Sequence, residues 1–147
     1  MARVPPRIRK VLFTAFLLLA GCASLEQCAY EGVGRDQWQQ PQKIIDTLQI
    51  RPESIVADLG AGGGYFTFRL ADAVGPSGKI YAVDIDVEMT DLIKGRAQKE
   101  ARTNIQPILA KSGDPLLPSA VDLIFTTNTY HHIDNRIAYF ANLKKYL

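Results

Sequence analysis

The chain has 147 residues, which supports one domain. Its formal charge of +2 comes from residues 1–21, which hold four basic and no acidic side chains; the remainder carries thirteen basic against fifteen acidic, or −2. That remainder shows no basic stripe, so nucleic acid is not an expected partner, and no Cys/His cluster has zinc-ligand spacing.

Arg3, Arg7, Arg9 and Lys10 precede a ten-residue apolar run, 11–20, too short to span a bilayer as a mature helix. The run ends in Leu19-Ala20-Gly21-Cys22, which resembles the bacterial lipobox. Residues 1–21 then read as a lipoprotein signal peptide, Cys22 as the lipidated new N-terminus and 22–35 as a tether. An ordinary signal peptide or a membrane anchor is the plainer alternative. Lipid on Cys22 leaves Cys28 unpaired, so no disulfide forms within the chain. Ala23 does not resemble an inner-membrane retention signal, and the expected place is the periplasmic side of an outer membrane.

Further along, Ile44, Ile45 and Leu48 recur at helical spacing and predict a helix over 42–48. A first strand is expected over 54–59. A helix over 65–74 follows, stopped by Gly75-Pro76-Ser77-Gly78. The second strand is 79–83. Asp86 caps a helix running to about residue 102, with Met89, Leu92, Ile93 and Ala97 on one face. The third strand, 105–110, contains Pro107, which places it near an edge. The fourth is 121–126. Asp134 caps a last helix whose apolar residues are Ile137, Phe140, Ala141 and Leu147. This alternation predicts an α/β fold with a parallel sheet, helices on both faces, and a ligand site beyond the carboxyl ends of the strands.

Asp58-Leu59-Gly60-Ala61-Gly62-Gly63-Gly64 joins the first strand to its helix. Glycines there let the backbone approach a ligand with no Cβ in the way, and the helix start offers free N–H groups. A dinucleotide fingerprint, G-x-G-x-x-G, needs glycine at 65, where Tyr65 stands, so a nicotinamide oxidoreductase is disfavoured. There is no Lys for a phosphate-cradling loop. An acid at the loop's entrance suits a ligand with an ammonium group. A second acid, Asp84, ends the second strand twenty residues after Gly64, where doubly wound sheets hold ribose hydroxyls.

These residues resemble the class I S-adenosylmethionine-dependent methyltransferases. The stretch from Val56 through Asp58-Leu59-Gly60-Ala61-Gly62-Gly63-Gly64 to Thr67 is similar to their first motif, and Tyr81-Ala82-Val83-Asp84-Ile85-Asp86 to their second. Val121-Asp122-Leu123-Ile124-Phe125 matches the later strand, and the likeness covers roughly 34–147. Arg35-Asp36-Gln37-Trp38-Gln39-Gln40-Pro41 and Tyr130-His131-His132 resemble a group of bacterial methyltransferases that often carry export signals. The resemblance implies a Rossmann-like sheet in the order 3-2-1-4, with 36–147 as the cofactor-binding portion. The family pattern continues into three more strands, so it also implies truncation, with strand four left as a bare apolar edge.

By the same resemblance, Asp58 faces the methionine ammonium of S-adenosyl-L-methionine, directly or through water, Asp84 holds its ribose, and Gly60, Ala61, Gly62 and Gly64 form the loop against it. The adenine segment is 111–118. Its usual acid falls at Gly113, and either Asp114 substitutes or Asp114 is an ordinary pre-proline turn residue. Asn128 lies at the mouth of the site with His131 and His132. Either His is a candidate base for a substrate hydroxyl or amine, or simply packs on the last helix or stays solvated. Trp38 is a roof for the site or a packing residue. The function implied is methyl transfer to a small-molecule acceptor. The rival is a membrane-tethered, non-catalytic binding or scaffold protein that keeps the fold.

Overall fold

The computed structural model describes Gly32 and residues 34–147. The expectations for 1–21, Cys22 and Cys28 lie outside the described residues. Asp36–Leu147 form one compact unit. It runs α1 (Arg35–Gln39), α2 (Pro41–Leu48), β1 (Ile55–Leu59), α3 (Thr67–Val74), β2 (Lys79–Asp84), α4 (Val87–Lys99), β3 (Ile105–Leu109), β4 (Leu123–Thr126) and α5 (Arg136–Leu143). Short 3-10 turns cover Tyr130–His132 and Lys144–Tyr146.

The four strands form one sheet in the order β3-β2-β1-β4. All pairs are parallel, with Val56 beside Ile80 on one side and Leu123 on the other, and Ile80 beside Ile105. Parallel strands need crossovers, and α3 and α4 supply the first two. Side chains alternate across the sheet. Val56, Ile80 and Ala82 face a core built with Ile45, Phe68, Leu70, Val74 and Ile93 from α2, α3 and α4. Ala57, Leu59, Tyr81 and Val83 face the opposite core, with Leu117, Val121 and Leu143. Helices thus cover both faces, as the β-α alternation implies.

Local chemistry explains most element ends. Pro41 opens α2, where its missing N–H costs nothing. Asp86 accepts the Glu88 N–H at 2.8 Å and caps α4, whose last turn carries Arg96 and Lys99 against the negative end of the helix dipole. Gly75 ends α3 at φ +73°. Pro107 stands in β3, which pairs only with β2 among the described residues, so its missing donor faces outward.

The last helix departs from expectation. Asn135, not Asp134, takes the cap position, at φ +45° and without a side-chain cap bond. Ile137 is 88 % exposed and Leu147 71 %, so the buried contact of this helix is Leu143 instead. No helix among the described residues is long and apolar enough to cross a membrane.

Candidate functional site

The site forms where β1, β2 and β4 release the chain at their carboxyl ends. After Leu59 the backbone turns through Gly60 at φ +73° and Gly62 at φ +52°. The turn is fastened to β2: the N–H groups of Gly60 and Ala61 donate to the Val83 carbonyl at 2.8 and 3.0 Å. Asp84 completes this side. Its Oδ2 accepts the Gly62 N–H at 2.8 Å and its Oδ1 the Asp86 N–H at 3.0 Å. The turn is fastened to β4 by side chains. Thr126 Oγ1 donates to the Leu59 carbonyl at 3.0 Å, and Thr129 Oγ1 lies 3.4 Å from the Gly60 carbonyl.

A cleft of about 410 Å³ opens between these loops, within the range that holds a small ligand or cofactor. Gly60 and Asp84 line it, with Ile85, Lys111 and Ser112 on one side and Asn128, Thr129 and His132 on the other. Ile133, Asp134 and Tyr139 close the far wall. Four residues singled out from sequence therefore meet here: Gly60, Asp84, Asn128 and His132.

The others stand elsewhere. Asp58 is 2 % exposed and accepts a 2.7 Å bond from the Thr67 hydroxyl, beneath the turn rather than on the cleft wall. Ala61 is buried. Gly64 packs against Phe68 and Ile93, so a Cβ there would lie 2.9 Å from the Phe68 ring. Gly62 has nothing within 4 Å of the position its Cβ would take. Space above Gly62 and the acceptor groups of Asp84 fit a hydroxylated ligand approaching the turn.

Asp114 is not brought to the cleft. Its carboxylate accepts from Lys145 Nζ and from the Tyr146 hydroxyl, each at 2.7 Å, and from the Leu116 N–H at 3.0 Å. The Lys145 bond, the Leu116 N–H and the Tyr146 hydroxyl hold this carboxyl well below the usual carboxylate range. Asp114 thus fastens the Lys144–Tyr146 turn to the segment whose start, Lys111 and Ser112, lines the cleft. Of that segment, Lys111 and Ser112 line the cleft, beside Ile85.

The rings of His131 and His132 lie with centroids 3.9 Å apart at a 44° tilt, and of the two His132 lines the cleft. Arg136 pins their turn by donating to the carbonyls of Tyr130 at 2.9 Å and His131 at 3.2 Å. Trp38 is 69 % exposed, so it is not a core residue, and it is not among the residues lining the cleft. Nearby Asp36 accepts from Arg69 Nη2, which lies 3.0 Å from each carboxylate oxygen, and from the hydroxyl of Tyr65. No group of three or more His, Cys, Asp or Glu side chains fit to hold a metal ion occurs among the described residues.

A parallel 3-2-1-4 sheet, a glycine turn after β1 and an acid ending β2 that reads that turn together define the Rossmann-like methyltransferase class, whose cofactor is S-adenosyl-L-methionine. Residues 56–147 match the family model described as a methyltransferase domain, and the chain belongs to that family.

Among solved structures, the chain is similar to a SAM-dependent methyltransferase from Aquifex aeolicus at 25 % identity and a TM-score of 0.71, over 78 % of this chain and 61 % of that one. It shares the fold of coclaurine N-methyltransferase bound to N-methylheliamine and SAH, at 19 % identity and a TM-score of 0.66, over 74 % and 32 % of the two chains. Among curated proteins it is similar to putative rRNA 2'-O-methyltransferase fibrillarin 3 of Arabidopsis thaliana, 35 % identical over 86 residues, which are 56 % of this chain and 29 % of that protein. The chain spans less than two thirds of the length of each of these relatives.

Sequence reasoning placed Thr129 in the stretch at the mouth of the site but not its contact with Gly60, and it missed Thr126, Ile133, Asp134 and Tyr139. The Thr126 and Thr129 bonds join residues 67 and 69 positions apart. Ile133, Asp134 and Tyr139 line the cleft from the segment that follows the turn at Tyr130–His132. No local pattern signals either.

Proposed function

We propose that this chain binds S-adenosyl-L-methionine in the cleft and transfers its methyl group to a small-molecule acceptor. The observation that carries the reading is Asp84, which lines the cleft and holds Gly62 of the turn through its carboxylate. Asp84 and the Gly60–Gly62 backbone would hold the cofactor's ribose and amino-acid ends, with Ile85, Lys111 and Ser112 beside its base. Asp58, buried beneath the turn, contributes negative potential toward an ammonium group rather than a direct contact.

The bound cofactor supplies an electrophilic methyl on a sulfonium. The protein's part is then largely to orient the acceptor in line. Asn128 and His132 stand where an acceptor would enter, and His132 is placed to take a proton from a hydroxyl or amine.

The Arabidopsis relative carries an rRNA methyltransferase name. We favour a small acceptor because residues 22–147 carry a net −2 and the cleft wall at Asp84 and Asp134 is acidic. A non-catalytic scaffold is the second reading. Nothing in the cleft favours it, since the turn, Asp84 and the space above Gly62 are intact.

The proposal extends to the N-terminus. Residues 1–21 serve as a signal peptide, 22–35 as a tether and 36–147 as the methyltransferase domain. Lipid on Cys22 anchors the protein on the periplasmic side of the outer membrane; one acyl chain holds marginally, and several on one Cys hold stably. Labelled fatty acid should appear on the wild-type protein and not on Cys22→Ser, and label on the variant would refute the anchor.

Calorimetric titration of the full chain with S-adenosyl-L-methionine tests the central claim. Saturable one-site binding is expected. No heat from wild type, with the protein folded, would overturn it.

A further inference from the structure

The glycine turn is held from its two neighbours in different ways. The β2 side uses backbone N–H groups and Asp84. The β4 side uses only hydroxyls, Thr126 and Thr129. Of these, Thr129 does more than bond. A Cβ added at Gly60 would overlap its Oγ1 and Cγ2 and lie 2.7 Å from its Cβ. The side chain of Thr129 therefore sits in the notch that Gly60 leaves by having no side chain of its own.

Thr129 is also joined to the acceptor side of the cleft. Its hydroxyl donates to the Thr127 carbonyl at 3.0 Å, and its carbonyl accepts the His132 N–H at 2.9 Å. Asn128, immediately before it, takes φ +56° and lines the cleft with His132. One side chain thus links the turn that would hold the cofactor to the loop that carries both acceptor-side groups.

We propose that Thr129 is a positioning residue: by filling the Gly60 notch it sets the Asn128–His132 loop against the cofactor turn and keeps the two sides of the cleft in one register. This rests on the cofactor assignment for the cleft. It accounts for Gly60 twice over, since the residue must both turn at positive φ and leave room for Thr129. The fit is chiefly one of shape, so an isosteric replacement should serve and removal of the side chain should not.

The full chain as wild type, Gly60→Ala, Thr129→Gly and the double variant is titrated with S-adenosylhomocysteine by calorimetry and also melted without ligand. Gly60→Ala is expected to lose about tenfold or more in affinity, and Thr129→Gly about threefold or more. The double variant should lose clearly less than the product of the two single losses, because the added methyl then meets no side chain in the notch and only the strain at Gly60 remains. The positive φ at Gly60 strains both backgrounds equally and cancels in the cycle. Thr129→Val, which keeps the branched shape and lacks only the hydroxyl, should bind distinctly more tightly than Thr129→Gly.

Losses that simply multiply in the double variant would overturn the proposal, as would equal affinities for Thr129→Val and Thr129→Gly. If wild type binds no S-adenosylhomocysteine, the cofactor reading fails by itself. The interlock is then decided by the ligand-free melts, where additive shifts reject it and recovery in the double variant supports it. If the Gly60 variants do not fold, the comparison of Thr129→Val with Thr129→Gly decides.

Discussion

Asp84 and Gly62 are joined by a 2.8 Å bond in which the carboxylate at the end of β2 accepts the backbone N–H of the glycine turn after β1. The same carboxylate also accepts the Asp86 N–H, two residues ahead of the cap bond that starts α4 at Glu88. One acid therefore organises the cofactor turn and the entry to the next helix. Asp84→Ala should weaken S-adenosyl-L-methionine binding by ~1.5–3 kcal/mol, the scale of hydrogen bonds to a charged group. Titration calorimetry reads this directly, and unchanged affinity would remove Asp84 from the site.

Gly62 is the turn residue with free space around it. Gly62→Val meets no neighbour within 4 Å, yet it must adopt φ +52°. Strain in that region costs roughly 1–2 kcal/mol for a residue with a Cβ, and more for a branched one. Denaturant unfolding should show this loss, and cofactor binding should be abolished because the branched side chain projects into the space the ligand would approach. A variant that binds as wild type would place the ligand elsewhere.

Thr67 and Asp58 form a buried polar pair under the turn, with Thr67 0 % and Asp58 2 % exposed. Thr67→Val removes a hydrogen bond to a buried carboxylate, and should cost about 1–3 kcal/mol of stability. Thr67→Ser keeps the hydroxyl and should recover most of that loss. Equal melting temperatures for the two variants would show that the hydroxyl does not matter.

The Asp114 clamp predicts a pH dependence with a definite sign. The bonds from Lys145, Leu116 and Tyr146 hold the Asp114 carboxyl well below its ordinary range. A depressed carboxyl stabilises the fold in full above the ordinary carboxylate range, and that contribution is lost as pH falls through and below it. Tyr146 is shifted the other way, upward, first by burial and then by Asp114. Its contribution is present below the ordinary tyrosine range and lost as pH rises past it. Tyr146→Phe should cost about 1 kcal/mol at neutral pH, and Asp114→Asn should flatten the acid limb of a stability profile. An acid limb identical in wild type and Asp114→Asn would show that the clamp is not linked to folding.

Much of the fold was written locally. The apolar runs of β1 and β2, the Gly75-Pro76-Ser77-Gly78 stop and the Asp86 cap each act within a few residues, so their elements fall within one to three positions of expectation. The sheet order was implied by the resemblance to the methyltransferase family, and the parallel strands with their crossover helices agree with it. Asp58, Gly60 and Asp84 were recognisable for the same reason, since residue type and spacing along single strands and turns carry the signal.

What tertiary structure alone decided is which of those residues face the cleft. Asp58 and Asp84 lie on the same face of the sheet, yet Asp58 sits beside Ala82 within the sheet, buried and bonded by Thr67, whereas Asp84 is two positions further along, at the rim where β2 ends. Asp114 lies in the segment where an adenine contact was sought, but Lys145 and Tyr146 fold back from more than thirty residues away and occupy its carboxylate. Thr129 fills the notch at Gly60, 69 positions earlier. Sequence determines conformation where the forces act between near neighbours. A partner's identity is settled only by packing, because that is what brings distant side chains within the few ångströms over which hydrogen bonds and steric contacts operate.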